Sequence, residues 1–192
     1  MVLFIIINLS LFTSIFAKDI GIAWEGKASM QDEILRGFLY KSKIFKEKFN
    51  IEIKKELKSI DDVKELALKW DKEKDAMILL RSSAAKMLSY TKTNIPTFIG
   101  GCNHPVALGT IDNFLAPQKN ITGVTYYLDK KTTIRMMKLF VPNIKSVLFI
   151  GEKGHYSTSI ESLETRQLLE EKFKIEYNGY ISDNIEDIIV EV

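Results

Sequence analysis

Residues 75–124 read DAMILLRSSAAKMLSYTKTNIPTFIGGCNHPVALGTIDNFLAPQKNITGV. Ala76 to Leu80 is a continuous apolar run of strand length, and Ser82-Ser83 follow where a helix N-cap belongs. A second apolar run, Ile95 to Ile99, empties into Gly100-Gly101-Cys102-Asn103-His104-Pro105, whose two glycines let the backbone approach another group closely. The stretch therefore reads as strand, turn, short helix, strand and a long loop. In open α/β sheets ligands bind at such carboxyl ends of strands.

Working outward, Asp19 to Ala23 is a short strand and Trp24-Glu25-Gly26 the turn leaving it. Ser29 and Asp32 have capping-box spacing, with Met30, Ile34 and Phe38 on one helical stripe. Ile51 to Ile53 alternates like a strand near a sheet edge, and Ser59 with Asp62 opens a helix whose stripe is Val63, Leu66, Ala67 and Trp70. The order βαβαβαβ implies parallel strands joined by right-handed crossovers, both sheet faces covered. From Ile111 to Tyr127 the pattern breaks around Pro117, which places the passage between lobes there. A new cycle follows: a helix carrying Ile134, Met137 and Phe140, and a strand Ile144–Ile150. Next come a helix opening at Thr158 and Glu161, a strand Ile175–Tyr177, and a further helix beginning at Ser182-Asp183.

With 46% hydrophobic residues, 27% charged residues and a net charge of +2 at pH 7, the 192-residue chain has globular composition. Its lysines are interleaved with acids, so neither a nucleic-acid surface nor a polybasic membrane surface is implied. Residues 1–17 carry no charge and end in Ser-Ile-Phe-Ala, the pattern of a cleavable secretory signal; a retained N-terminal anchor is the competing reading. The single Cys102 excludes an internal disulfide framework. It reads either as a small buried side chain or, with His104 two residues on, as a thiolate with a basic partner. Two histidines without a carboxylate pattern do not make a metal-ligand set, and no Gly-x-Ser-x-Gly, Walker or Gly-x-Gly-x-x-Gly motif is present. No cofactor and no enzymatic reaction are expected.

Three linked segments carry a family resemblance: Arg81-Ser82-Ser83-Ala84-Ala85, then Gly100-Gly101-Cys102-Asn103-His104-Pro105-Val106-Ala107-Leu108-Gly109, then Asn120-Ile121-Thr122-Gly123-Val124. In order and character they resemble the substrate-binding proteins of ABC transporters, in the tryptophan- and tyrosine-type branch. Its corresponding motifs run Gly-Thr-Pro-Ala-Ala, Ala-Gly-Val-Ser-Asp-Pro-Val-Ala-x-Gly and Asn-x-Thr-Gly-Val. Arg81 stands in place of a glycine and His104 in place of an aspartate. The resemblance implies a periplasmic-binding-protein-like α/β fold of two doubly wound parallel-sheet lobes. Residues 18–121 would form the first lobe, and residues 122–192 the hinge crossover and an incomplete second lobe. It further implies a periplasmic protein that holds a small amino-acid-like molecule, aromatic or branched, between its lobes and delivers it to an inner-membrane ABC permease. A ligand-sensing input domain of the same fold is the alternative.

Such a ligand needs donors for a carboxylate and an acceptor for an ammonium. Ser82 and Ser83 read as caps, as carboxylate donors, or as both. Arg81 is either a bidentate anion contact or a solvated strand-end charge. Trp24 either stacks on a planar ligand or covers the sheet edge, and Glu25 either receives an ammonium or is an ordinary exposed acid. Gly101, Asn103 and His104 are lining candidates from the first lobe; Glu152 and Tyr156 occupy the equivalent place in the second.

Overall fold

The computed structural model describes residues 18–44, 48–115 and 120–184. The signal reading for residues 1–17 and the body of the last helix reading lie outside these. Five strands and three helices form the first lobe: β1 (Lys18–Glu25), α1 (Ser29–Ser42), β2 (Phe49–Leu57), α2 (Ile60–Glu73), β3 (Ala76–Leu80), α3 (Ser82–Leu88), β4 (Thr97–Cys102) and β5 (Ile121–Thr125). All pairings are parallel, in the order β2-β1-β3-β4-β5. This doubly wound order reverses direction between β1 and β3, and the helices divide between the two sheet faces accordingly.

Both faces are filled. Under α2 and α3 lie Val63, Ala67, Trp70, Met77, Leu79, Ala85 and Met87, all fully buried. Against α1 lie Ile20, Ile22, Trp24 and Leu80, with Ile34, Leu35 and Phe38 packed on them. Strand alternation puts Ile20, Ile22 and Trp24 on one face. Strand β1 runs two residues past the sequence reading, so Trp24 lies inside the sheet rather than in a turn.

The second lobe comprises α4 (Lys130–Phe140), β6 (Ser146–Glu152), α5 (Thr158–Gln167), which continues as a π-helical segment Leu168–Phe173, and β7 (Glu176–Ser182). Strands β6 and β7 make a two-stranded parallel sheet. Ile134, Leu169 and Ile175 form its buried core, while Leu148 and Ile150 remain 44% and 48% exposed on the other sheet face.

Several local readings change: β7 runs through Ser182, where a helix was expected to begin, and Ser157 rather than Thr158 precedes α5, without a side-chain cap. The first lobe keeps Ile121–Thr125 as its fifth strand, so the crossover starts after Thr125 rather than at residue 122. Ala28, not Ser29, precedes α1 and supplies no side-chain cap. Within α1, Met30 is 47% exposed and Gln31 only 4%, so the inward stripe is Gln31, Ile34, Leu35 and Phe38. The capping box at Ser59 and Asp62 forms as read: each side chain accepts the other's backbone N–H, at 3.2 and 2.9 Å.

Candidate functional site

The reversal between β1 and β3 opens a crevice at their carboxyl ends, where Glu25 and Arg81 emerge side by side. Arg81 takes the N-cap position of α3 that the sequence reading gave to Ser82-Ser83. Its backbone sits at φ 87° and ψ 162°, a region almost reserved for glycine. Its N–H donates to Gly100 O at 3.0 Å and its Nη1 to Glu25 O at 2.8 Å. Gly26 makes room for this, because a Cβ there would meet Nη1 at 2.8 Å.

Ser82 and Ser83 are buried in the first turn of α3. Ser82 Oγ accepts the Asn103 N–H at 3.1 Å, so it ties two strand ends together instead of capping its own helix. Ser83 Oγ is buried and has no hydrogen-bond partner. Cys102 is buried beside Ser82. Desolvation pushes its thiol up to about 12, only partly offset by the Ser82 hydrogen bond. A thiolate is thereby disfavoured, and His104 does not pair with it.

The second lobe meets these strand ends. A cavity of about 280 Å³ is lined by Glu25, Arg81, Ser82 and Ser83 from the first lobe and Glu152, Lys153, Gly154, His155 and Tyr156 from the second. A neighbouring cavity of about 220 Å³ shares Arg81, Ser82 and His155, adding Gly101, Tyr126 and the first turn of α1 through Gln31. Burial raises the Tyr126 phenol, with the Ser82 hydrogen bond opposing it; burial likewise raises Tyr156, reinforced by the nearby Glu25 charge. Both hydroxyls stay protonated and available as donors at neutral pH.

The remaining candidates separate. Trp24 is fully buried against Ile20, Ile22 and Leu80 and lines neither cavity, which corrects its reading as a stacking platform. His104 is also corrected: its Nδ1 accepts the Ala107 N–H at 3.1 Å, and its ring stands 4.0 Å from Tyr127 and 5.4 Å from Phe114. It closes its own turn and packs against the crossover. Asn103 bridges the lobes: its Nδ2 donates to Ser157 Oγ at 3.1 Å and to Glu161 Oε1. Glu161 also takes Lys130 Nζ at 2.7 Å, with both side chains under 20% exposed. A buried polar clasp thus joins β4, α4 and α5. Among the described residues no group of His, Cys, Asp and Glu side chains could hold a metal ion, and no helix is long and apolar enough to cross a membrane.

Sequence reading missed Gln31 and Tyr126; it named His155 among the residues between β6 and α5, and it read Glu161 only as a capping residue of α5. Gln31 was findable, since it interrupts an otherwise apolar i, i+3, i+4, i+7 stripe. Tyr126 carries no such signal, because nothing in its neighbourhood marks which way the crossover turns.

The two-lobed plan, the switch-point cleft and the linking crossover together accord with the sequence profile of the "ABC transporter substrate binding protein" family, which matches residues 30–192. The chain belongs to that family. It is 24% identical over 149 residues to the tyrosine-binding protein of Clostridioides difficile, covering 75% of this chain and 43% of that protein. Among solved structures it resembles the ligand-free, open form of a substrate binding protein with adhesive properties from Clostridium difficile, at TM-score 0.69 and 16% identity. It also resembles an ABC domain from Streptococcus pneumonia in complex with L-Trp, at TM-score 0.69 and 15% identity. These alignments take in 91% of this ABC-family chain and 61% and 60% of the two solved chains. The chain therefore spans less than two thirds of the relatives' length.

Proposed function

We propose that this protein is a non-enzymatic binding component of an ABC transporter, which takes up an amino-acid-like molecule outside the cytoplasm and presents it to a membrane permease. One observation carries this reading: Glu25, Arg81, Ser82, Ser83, Glu152 and Tyr156, from two lobes, converge on one cleft at the sheet's switch point. Glu25 and Glu152 supply anionic acceptors for an ammonium group, and the hydroxyls of Ser83 and Tyr156 supply donors. Lobe movement about residues 126–129 would close the cleft over its ligand. The tyrosine-binding relative and the L-Trp complex support an aromatic amino acid as ligand.

Chemistry at the cleft is disfavoured by what surrounds its nucleophiles. Ser157 Oγ lies 3.0 Å from His155 Nδ1 and donates to Glu161 at 2.8 Å, but Ser157 is fully buried and out of reach of a substrate. The test is native mass spectrometry of the purified protein incubated with an equimolar mixture of the twenty amino acids. One or a few 1:1 adducts that disappear in Glu152→Ala and Tyr156→Ala are expected. Turnover of any bound compound, or adducts indifferent to both substitutions, would overturn the reading.

A further inference from the structure

We propose that the half of the cleft between the start of α1 and the β3–α3 turn is an oxyanion subsite for a carboxylate of the ligand, with Arg81 as its specificity-determining residue. This rests on the cleft reading above and assigns the ligand's orientation within it.

The two halves differ in charge. Glu25 and Glu152 line one, together with Lys153. The other, about 220 Å³, is lined by Ser29, Gln31, Arg81, Ser82, Tyr126 and His155 among its polar groups, with no carboxylate. Four observations point to an anion there. The Arg81 guanidinium uses Nη1 on Glu25 O, and among the described residues no carboxylate lies within 4 Å of it. Its remaining N–H groups are therefore free to meet an anion in a bidentate, charge-assisted contact.

Gln31 is 4% exposed, and its carboxamide lines this cavity without a hydrogen-bond partner among the described residues. A Cβ on Gly101 would lie 3.0 Å from Gln31 Nε2, which places the amide against the cavity wall. Buried amides are ordinarily paired, so an idle one in a cavity wall is a donor in waiting. The first turn of the 14-residue α1 lines the same space with no side-chain cap from Ala28, adding backbone N–H groups to the donor set. Finally, Arg81 occupies a backbone conformation that favours glycine, at φ 87°. Strain of this kind persists where the side chain has a task.

The ligand's carboxylate therefore sits against Arg81 and Gln31, and its cationic end faces Glu25 and Glu152. Arg81→Gly is the informative variant, because glycine suits the backbone there and the fold is retained. Thermal melts of wild type and Arg81→Gly are recorded with L-tyrosine, L-tryptophan, their decarboxylated twins tyramine and tryptamine, and succinate. In wild type each amino acid should bind at least about tenfold more tightly than its twin, and Arg81→Gly should shrink that gap to under about threefold. Amines that bind wild type as well as their acids, or a full acid preference retained in Arg81→Gly, would overturn the subsite and leave the cleft reading standing. A response to succinate alone upholds the subsite and removes the amino-acid reading. Silence across the panel in both proteins defeats the subsite, while the cleft reading stands or falls on the mixture of twenty amino acids.

Discussion

Arg81 and Gly26 form a single device: the arginine reaches across the switch point only because its neighbour lacks a side chain. Gly26 sits at φ 61°, and a methyl group there would lie 2.8 Å from Arg81 Nη1. Gly26→Ala should cost about 1–2 kcal/mol from the left-handed backbone alone, and it should also release the Arg81 bond to Glu25 O. Urea denaturation checks the first effect. Ligand titration checks the second, since a displaced guanidinium weakens binding even under conditions where the fold survives. The sequence makes the general importance of Gly26 legible, as a glycine leaving a strand. What it conceals is the partner, because Arg81 is 55 residues away and meets Gly26 only once β1 and β3 pair.

At the scale of the element, β5 depends on a missing side chain in another way. A Cβ at Gly123 would stand 2.1 Å from Ile99 O, inside the β4–β5 ladder itself. Gly123→Ala therefore forces the strands apart and should destabilise by about 3 kcal/mol, at the upper end for overpacking. Accelerated amide exchange confined to Ile121–Thr125 and its β4 partners would confirm that the damage is local, whereas unchanged exchange would contradict it. The edge strand β2 makes an electrostatic contribution. Glu52 is held below its ordinary value of 4.5 by its hydrogen bond with Lys74, with burial opposing and Trp70 Nε1 assisting at 3.3 Å.

A carboxylate whose folded value is depressed stabilises fully above its unfolded value, and that contribution is lost as pH falls through the folded value. Stability should thus decline below pH 4.5, and Glu52→Gln should flatten that acid limb in denaturation midpoints measured across it. Strand positions, helix order and the Ser59 capping box were legible because each rests on local spacing. Whether α1 buries Met30 or Gln31 was not, since adjacent residues differ by only 100° around a helix and the sheet beneath decides the phase.

At the scale of the whole molecule, the lobes are joined by the Asn103, Ser157, Glu161 and Lys130 clasp. Removing the Asn103 amide leaves Ser157 and Glu161 buried with fewer partners, a loss of about 1–3 kcal/mol. Asn103→Ala should therefore lower stability and raise the radius of gyration in solution scattering, because the lobes separate about residues 126–129. An unchanged scattering profile would show that the clasp does not set the interlobe angle. The clasp also bears on affinity: lobes already drawn together lose less conformational freedom on capture of the ligand.

Local sequence determined the parallel α/β plan, the positions of the strands and the three linked motifs of the ABC transporter substrate binding protein family. Each depends on periodicity or composition within a few residues. It also singled out Glu25, Arg81, Ser83, Glu152 and Tyr156, as residues at strand carboxyl ends. Only the tertiary structure decided that Trp24 is core, that His104 closes a turn, and that Asn103 is a clasp. It alone brought Gln31 and Tyr126 beside Arg81. Those roles depend on which strands become neighbours and which faces the helices cover, and pairing across tens of residues is set by global packing, which local spacing does not encode.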